Sequence, residues 1–266
     1  MNLGKMKKHC NNIVLAVALV ACLSVQMSCH AAEAPATATN VELQQQGHVG
    51  VSDATTLVSY KLALQWPPGA CSVSYKCKGD IPKTFTIFGL WPQNSYNYGV
   101  PPYSKDPSCT SLKPVPTDRI MGLLQKADLV EELTEAWPNL KNSKYPPKNQ
   151  QFWEHQWEQN GMCTDFGDNP IQYFKTAINL RDQFVKVYQP PSGGSYKVKV
   201  LLQRVKNVAK ATPEIVCRKQ IGTNTTIVGE LHLCYKKGNL TPEGIEDCKR
   251  PFSGICKSEL DVVKFL

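Results

Sequence analysis

The chain has 266 residues, 42% of them hydrophobic and 20% charged, with a formal net charge of +8 and 11 cysteines. That length suits about one domain with a sizeable core. Beyond the N-terminal segment no stretch is long and apolar enough to cross a bilayer, and no Cys-x-x-Cys pair offers the spacing of a zinc or redox site, which argues against a membrane span and a cysteine metal centre.

In chain order, Lys5, Lys7 and Lys8 precede an apolar run from Ile13 to Val25, and Ala31 and Ala32 offer a small-residue cleavage site. This pattern predicts a secretory signal peptide over 1–32. Residues 33–56 are polar, rich in Ala, Thr and Gln, and without sustained period, as expected of a flexible leader. A domain is then expected over 57–266. Eight cysteines follow the signal (Cys71, Cys77, Cys109, Cys163, Cys217, Cys234, Cys248 and Cys256). An even number in an exported chain points to a disulfide framework whose pairing the spacing leaves open.

Tyr60, Leu62, Leu64 and Trp66 alternate with Lys61, Ala63 and Gln65, which predicts a half-buried strand ended by Pro67 and Pro68. Thr84–Leu90 is a second strand by its β-branched and aromatic content, with Thr86, Phe88 and Leu90 on one face. Residues 94–116 are a Pro-, Ser- and Tyr-rich loop, and Thr117–Trp137 is helical, in two pieces, up to Pro138. A short helix is expected from Gln151 to Asn160. Asp168 can cap the next helix, with Pro170 in its first turn and Tyr173, Phe174, Ala177, Ile178, Phe184 and Val187 on its buried side. Another helix over 198–211 buries Leu201, Val205, Val208 and Ala209, and Ile227–Tyr235 reads as a strand. Strands and helices without regular alternation imply an α+β fold. Seven basic residues lie between Ser195 and Gln220 with only Glu214 opposing them, a cluster able to attract phosphates or simply a solvated face.

Two blocks carry the most information: FTIFGLWP at 85–92 and FWEHQWEQNGMC at 152–163. Together with LALQWPPGAC near the start of the domain, AWPN at 136–139, YFKTAINLRDQF at 173–184 and the last four cysteines, they make the chain resemble the ribonuclease T2 family, especially its plant secreted branch with the self-incompatibility ribonucleases. The resemblance runs from about Tyr60 to the C-terminus. It implies an α+β fold with a central antiparallel sheet, packed helices and disulfides. It also implies metal-free RNA cleavage through a 2′,3′-cyclic phosphate. That reaction needs a base for the 2′-hydroxyl, an acid for the leaving oxygen and a positive group for the phosphorane. Histidine suits the proton transfers because its pKa lies near neutral pH.

The family pattern reads FTIHGLWP and HEWxKHG at these blocks, and the chemistry fails to carry over residue by residue. Phe88 stands for the first histidine, Gln156 for the glutamate, Gln159 for the lysine and Asn160 for the second histidine, while the auxiliary histidine survives as His155. On a helix, His155 stacks with Gln159 and Gln156 with Asn160 at i,i+4. Gln65, Trp91 and Phe152 match positions that line base-binding sites in the family; the aromatic pair serves equally well as core packing. His232, with no visible partner in the sequence, reads as structural. The resemblance further implies the pairs Cys71–Cys77, Cys109–Cys163, Cys217–Cys256 and Cys234–Cys248. Asn224 and Asn239 sit in glycosylation sequons.

The sequence thus leads to a secreted or vacuolar T2-fold glycoprotein, monomeric, without cofactor or metal, lacking RNA cleavage and serving storage, defence or recognition. One alternative is a module that binds RNA or nucleotides weakly in the retained cleft. The other is a weakly active endoribonuclease.

Overall fold

Strand β1 (Ser59–Gln65) pairs on one side with β2 (Thr86–Gln93) and on the other with β5 (Thr226–Lys237), both antiparallel. Its alternating pattern predicts one wet face. Instead every residue from Tyr60 to Gln65 is buried, because helices cover one face and an ion cluster described below is packed on the other. The computed structural model describes residues 54–73, 77, 80–141, 149–191, 193–239 and 241–266, all within the compact unit His48–Leu266. The expected signal peptide, and the leader up to residue 53, lie outside the described residues.

The sheet runs β2-β1-β5-β4-β7, where β4 is Glu214–Lys219 and β7 is Phe252–Gly254. Three short strands complete it: β3 (Ser195–Lys197) pairs with β8 (Val262–Lys264), while β6 (Pro242–Glu246) and β8 flank β5. Most pairings are antiparallel; β4–β7 and β5–β8 are parallel. The helices are α1 (Pro67–Cys71), α2 (Ile120–Lys126), α3 (Val130–Ala136), α4 (Asn149–Gln159), α5 (Pro170–Val187) and α6 (Val198–Ala209). Leu62, Leu64, Ile87, Leu90, Leu231 and Leu233 join Tyr173, Phe174 and Ala177 of α5 in the core.

Expectations for two helices need correction. Asn169, one residue after Asp168, is the N-cap of α5, and its side chain accepts from the Gln172 amide at 3.2 Å. Pro170 then occupies the first helical position, where no amide is required. Val187 ends the helix 55% exposed, whereas the other five predicted contacts are buried. Val208 and Ala209, in the last turn of α6, are likewise only partly buried.

Four disulfides close the fold: Cys71–Cys77, Cys109–Cys163, Cys217–Cys256 and Cys234–Cys248. The second joins the long loop after β2 to the end of the second block. Among the described residues no helix is long and apolar enough to cross a membrane. Asn224 and Asn239 are both exposed.

Candidate ligand cleft

The first block is held as an edge strand whose backbone is pinned from outside. Arg181 Nε donates to the Phe85 carbonyl at 2.9 Å, Tyr173 Oη to the Leu90 carbonyl at 2.9 Å, and Trp137 Nε1 to the Phe88 carbonyl at 3.3 Å. These side chains satisfy carbonyls that an edge strand would otherwise leave open. The register shifts inside the block: Ala63 pairs with Gly89, but Leu64 pairs with Ile87, so Phe88 is skipped. This is a β-bulge, and it overturns the expected common face for Thr86, Phe88 and Leu90. Leu90 and Ile87 point into the core opposite Leu62 and Leu64, while the extra residue, Phe88, is re-aimed into a cleft.

The second block forms α4. Trp153 and Trp157 are fully buried and anchor it, donating to the carbonyls of Trp137 at 2.9 Å and Val115 at 2.8 Å. With the helix rotation fixed, Phe152, His155 and Gln156 face the cleft. The cleft has a volume of about 240 Å³. Gln65 and Phe88 form its sheet side, α4 its opposite side, and Asn139–Lys141 close one end. The Phe88 and Phe152 rings are near-parallel, 29° apart in plane with centroids 6.3 Å apart, and Trp91 meets Phe88 edge-on at 5.8 Å.

The structure therefore brings Gln65, Phe88, Phe152, His155 and Gln156 together around one space. Trp91 adjoins it through Phe88, and Asn160 through a hydrogen bond from its Nδ2 to Gln156 Oε1 at 3.1 Å. Gln159 does not line it. Of the two expected i,i+4 pairs on α4, Gln156 with Asn160 is the one bonded. Gln156 is 6% exposed and Gln65 4%, while His155 stands exposed at the rim.

Gly89 makes this approach possible. A Cβ there would lie 2.0 Å from Trp91 Nε1 and 2.8 Å from Gln156 Oε1. We expect Gly89→Ala to cost about 1–3 kcal/mol by overpacking. Urea denaturation measures it; an unchanged midpoint would mean that the indole swings aside freely.

Behind Trp91 lies a buried ion cluster that sequence reasoning missed. Across four strands, Gly89, Ala63, His232 and Glu214 sit in one row. The two small residues leave room for the Trp91 ring to reach His232 edge-on at 5.2 Å. Lys61 Nζ contacts Glu214 Oε2 at 2.8 Å, with both side chains buried. His232 places Nδ1 3.4 Å from Glu214 and Nε2 3.0 Å from Glu230, which in turn accepts from Arg218 at 2.7 Å. Glu214 thus does not offset the surface basic cluster, as its place in the sequence suggests; it is engaged inward. The one available signal was the Lys61 charge in an otherwise uncharged strand.

Burial pushes the His232 imidazole down, but hydrogen bonds to Glu214 and Glu230, and then their charges, outweigh it and raise its pKa. Burial likewise pushes both carboxyls up, and hydrogen bonds from His232, with Lys61 and Ser253 on Glu214 and Arg218 on Glu230, bring them net below the usual carboxylate range. A raised His pKa stabilises the fold fully below its unfolded value, about 6.5, and this is lost as pH rises through the folded value. Depressed carboxyls stabilise above about 4.3 and lose this as pH falls through their folded values. We therefore expect stability in urea to be greatest between about pH 4.5 and 6.5 and to decline on both sides. His232→Gln should flatten the alkaline decline; an alkaline limb of unchanged slope would sink the assignment.

A model of the ribonuclease T2 family matches residues 58–248. The chain is similar to ribonuclease MC of Momordica charantia, 29% identical over 204 residues that cover 74% of this chain and 96% of that one. It is also similar to a ribonuclease-like storage protein of Panax ginseng, 30% identical over 187 residues, covering 67% of this chain and 71% of that one. Ribonuclease S-6 of Nicotiana alata is 29% identical over 197 residues, covering 72% and 81%. Among solved structures, the ribonuclease MC1 from bitter gourd seeds superposes with a TM-score of 0.59 at 26% identity, covering 79% of this chain and 99% of that one.

Proposed function

The chain belongs to the ribonuclease T2 family, and from that premise we propose that it is a member that has given up RNA cleavage. One observation carries this reading: the cleft frame is intact, yet Phe88, Gln156, Gln159 and Asn160 stand where the family has two histidines, a glutamate and a lysine. Phenylalanine and carboxamides neither exchange protons near neutral pH nor supply charge. His155 remains at the rim, and among the described residues no second histidine and no carboxylate lines the cleft beside it to complete the family's acid–base pair.

The protein is then an exported, disulfide-bonded glycoprotein of the secretory pathway, extracellular or vacuolar, carrying glycans at Asn224 or Asn239. Of the roles open to it, storage is supported by the similarity to the ginseng protein; defence and recognition need partners of their own. The test is RNA digestion by the purified chain beside a catalytically complete relative. Background cleavage is expected; cleavage that disappears with His155→Ala would instead establish an atypical ribonuclease.

A second reading, a nucleotide-binding module, rests on Gln65, Phe152 and Trp91 at the cleft and on the solved MC1 variants that carry 5′-UMP and 5′-GMP.

A further inference from the structure

Three apolar side chains that follow the helical periods of α5 and α6 stay uncovered: Val187 is 55% exposed, and Val208 and Ala209 are only partly buried. All three line one groove of about 540 Å³ that shares no lining residue with the cleft. Its sheet side is formed by Leu233 and Tyr235 of β5, which alternate with His232 and Cys234 and pair with Leu62 and Tyr60. They therefore stand on the helix-covered face of the sheet, away from the ion cluster. Leu180 and Phe184 of α5 and Ile245 of β6 complete the apolar lining.

The flank on α5 is polar and neutral. Gln172, Thr176, Asn179 and Gln183 recur at i, i+4, i+7 and i+11, and so share one side of the helix. Gln172 Nε2 donates to Thr176 Oγ1 and Gln183 Nε2 to Asn179 Oδ1, each at 3.2 Å. Each pair keeps a carbonyl oxygen and a donor for a further bond: Gln172 Oε1 with the Thr176 hydroxyl, and Gln183 Oε1 with Asn179 Nδ2.

Tyr235 supplies the deepest polar atom. It is 8% exposed, and burial by itself raises its pKa. The other buried tyrosines with raised values each hold a partner: Tyr60 the Asp165 carboxylate, Tyr173 the Leu90 carbonyl and Tyr188 the Arg204 side chain. The Tyr235 hydroxyl has none among the described residues. It is not sealed either, since the fully enclosed hydroxyls that lack a partner there are those of Thr86 and Ser95. A phenol kept mostly from water and bonded to nothing is completed by a ligand atom in the groove it lines. Lys175 is the one charged side chain on the groove among the described residues, and it is exposed. An anion seated on the apolar floor would lose its hydration without a cation to replace it. The volume is of the size that holds a small molecule.

We propose that the groove between α5, the end of α6 and the β5–β6 hairpin is a binding site for an uncharged amphipathic small molecule, its apolar body on Leu180, Phe184 and Leu233 and a hydroxyl or carbonyl group on Tyr235. The site is separate from the cleft and does not depend on whether the chain cleaves RNA.

The experiment titrates the whole protein with naphthalene, 2-naphthol and 2-naphthoate, which share a body and differ in the polar group, at about 50 and about 500 mM salt. Ligand-observed NMR gives the affinities, and methyl shifts locate the site. The expected result is 2-naphthol binding below about 1 mM, at least about threefold tighter than either companion at both salts, with shifts at Leu180, Val208 and Leu233. Tyr235→Phe should remove the advantage over naphthalene while leaving the melting temperature unchanged or higher, a split that a merely structural tyrosine would not produce. Ala209→Phe, which fills the groove, should weaken 2-naphthol at least about fivefold, and Phe152→Ala in the cleft should leave it unchanged. Tightest binding by 2-naphthoate, lost at high salt, would overturn the proposal in favour of an anion on Lys175. Absence of 2-naphthol binding, or shifts confined to the cleft, would overturn it as well. Sedimentation showing a dimer that Val187→Arg breaks up would replace the small molecule with a second copy of this chain.

Discussion

Phe88→His, Gln156→Glu, Gln159→Lys and Asn160→His, introduced together, are expected to raise RNA cleavage at least about 10²-fold above the parent, with 2′,3′-cyclic phosphate ends as products. An acid or base in place typically contributes about 10²- to 10⁴-fold, and groups acting as a unit do not add. For that reason Phe88→His alone should do little: a base without its acid completes no proton transfer. The structure favours success in two ways. The Phe88 carbonyl is held by Trp137, so the backbone presents whatever side chain stands there to the cleft. Positions 156 and 160 are within hydrogen-bond reach, as the 3.1 Å bond between Asn160 and Gln156 shows, so a carboxylate and an imidazole placed there can pair. Position 156 is nearly closed to solvent, and a carboxylate there needs such a partner to stay ionised. Equal cleavage by parent and revertant would defeat the idea that these four positions account for the difference. A silent revertant would mean that the bulge geometry around Phe88 has repacked the cleft beyond simple repair.

The largest stability effect is expected at Glu214. Its carboxylate accepts from Lys61 and faces His232, all three within a buried layer of the sheet. Glu214→Ala strands Lys61 and His232 without their shared counter-charge and should cost about 3–5 kcal/mol, read from the midpoint and slope of urea unfolding. Replacing both partners tests the same point from the other side. Lys61→Met with Glu214→Leu removes the charges together, and buried pairs exchanged for apolar side chains are often neutral or stabilising, so the double variant should recover much of the loss. If the double variant is as unstable as Glu214→Ala, the cost lies in lost packing or in the His232 contact.

Much of this molecule was legible in the chain because its signals are local. The alternation over Tyr60–Trp66 marked β1, the Pro170 and apolar spacing marked α5, and the two helical pieces before Pro138 are α2 and α3. The motifs pointed to the family whose model the chain matches. Where sequence reasoning erred, the cause was non-local or depended on a single residue. The half-buried reading of β1 failed because alternation reports the chemistry of two faces and not what later packs on them. The capping residue of α5 shifted by one because Asp168 and Asn169 are both competent caps, and the backbone selects between them. Val187 follows the helical period yet is exposed as the last residue of α5.

For the cleft, the sequence by itself determined the identity of the residues: aromatic and carboxamide groups, at positions that the resemblance aligns with acids and bases. Only the tertiary structure decided where they point. A period of two puts Phe88 beside Leu90 on one face, but pairing with β1 skips Phe88 and sends it into the cleft against Phe152. Inter-strand register also gathers Lys61, Glu214, Glu230 and His232 from three strands into one buried cluster behind Trp91. The physical reason is the same in both cases. Side-chain type is a local property, whereas bulges and registers arise from hydrogen bonds between segments far apart in the chain, and those bonds set both which side chains meet and which charges lose their water.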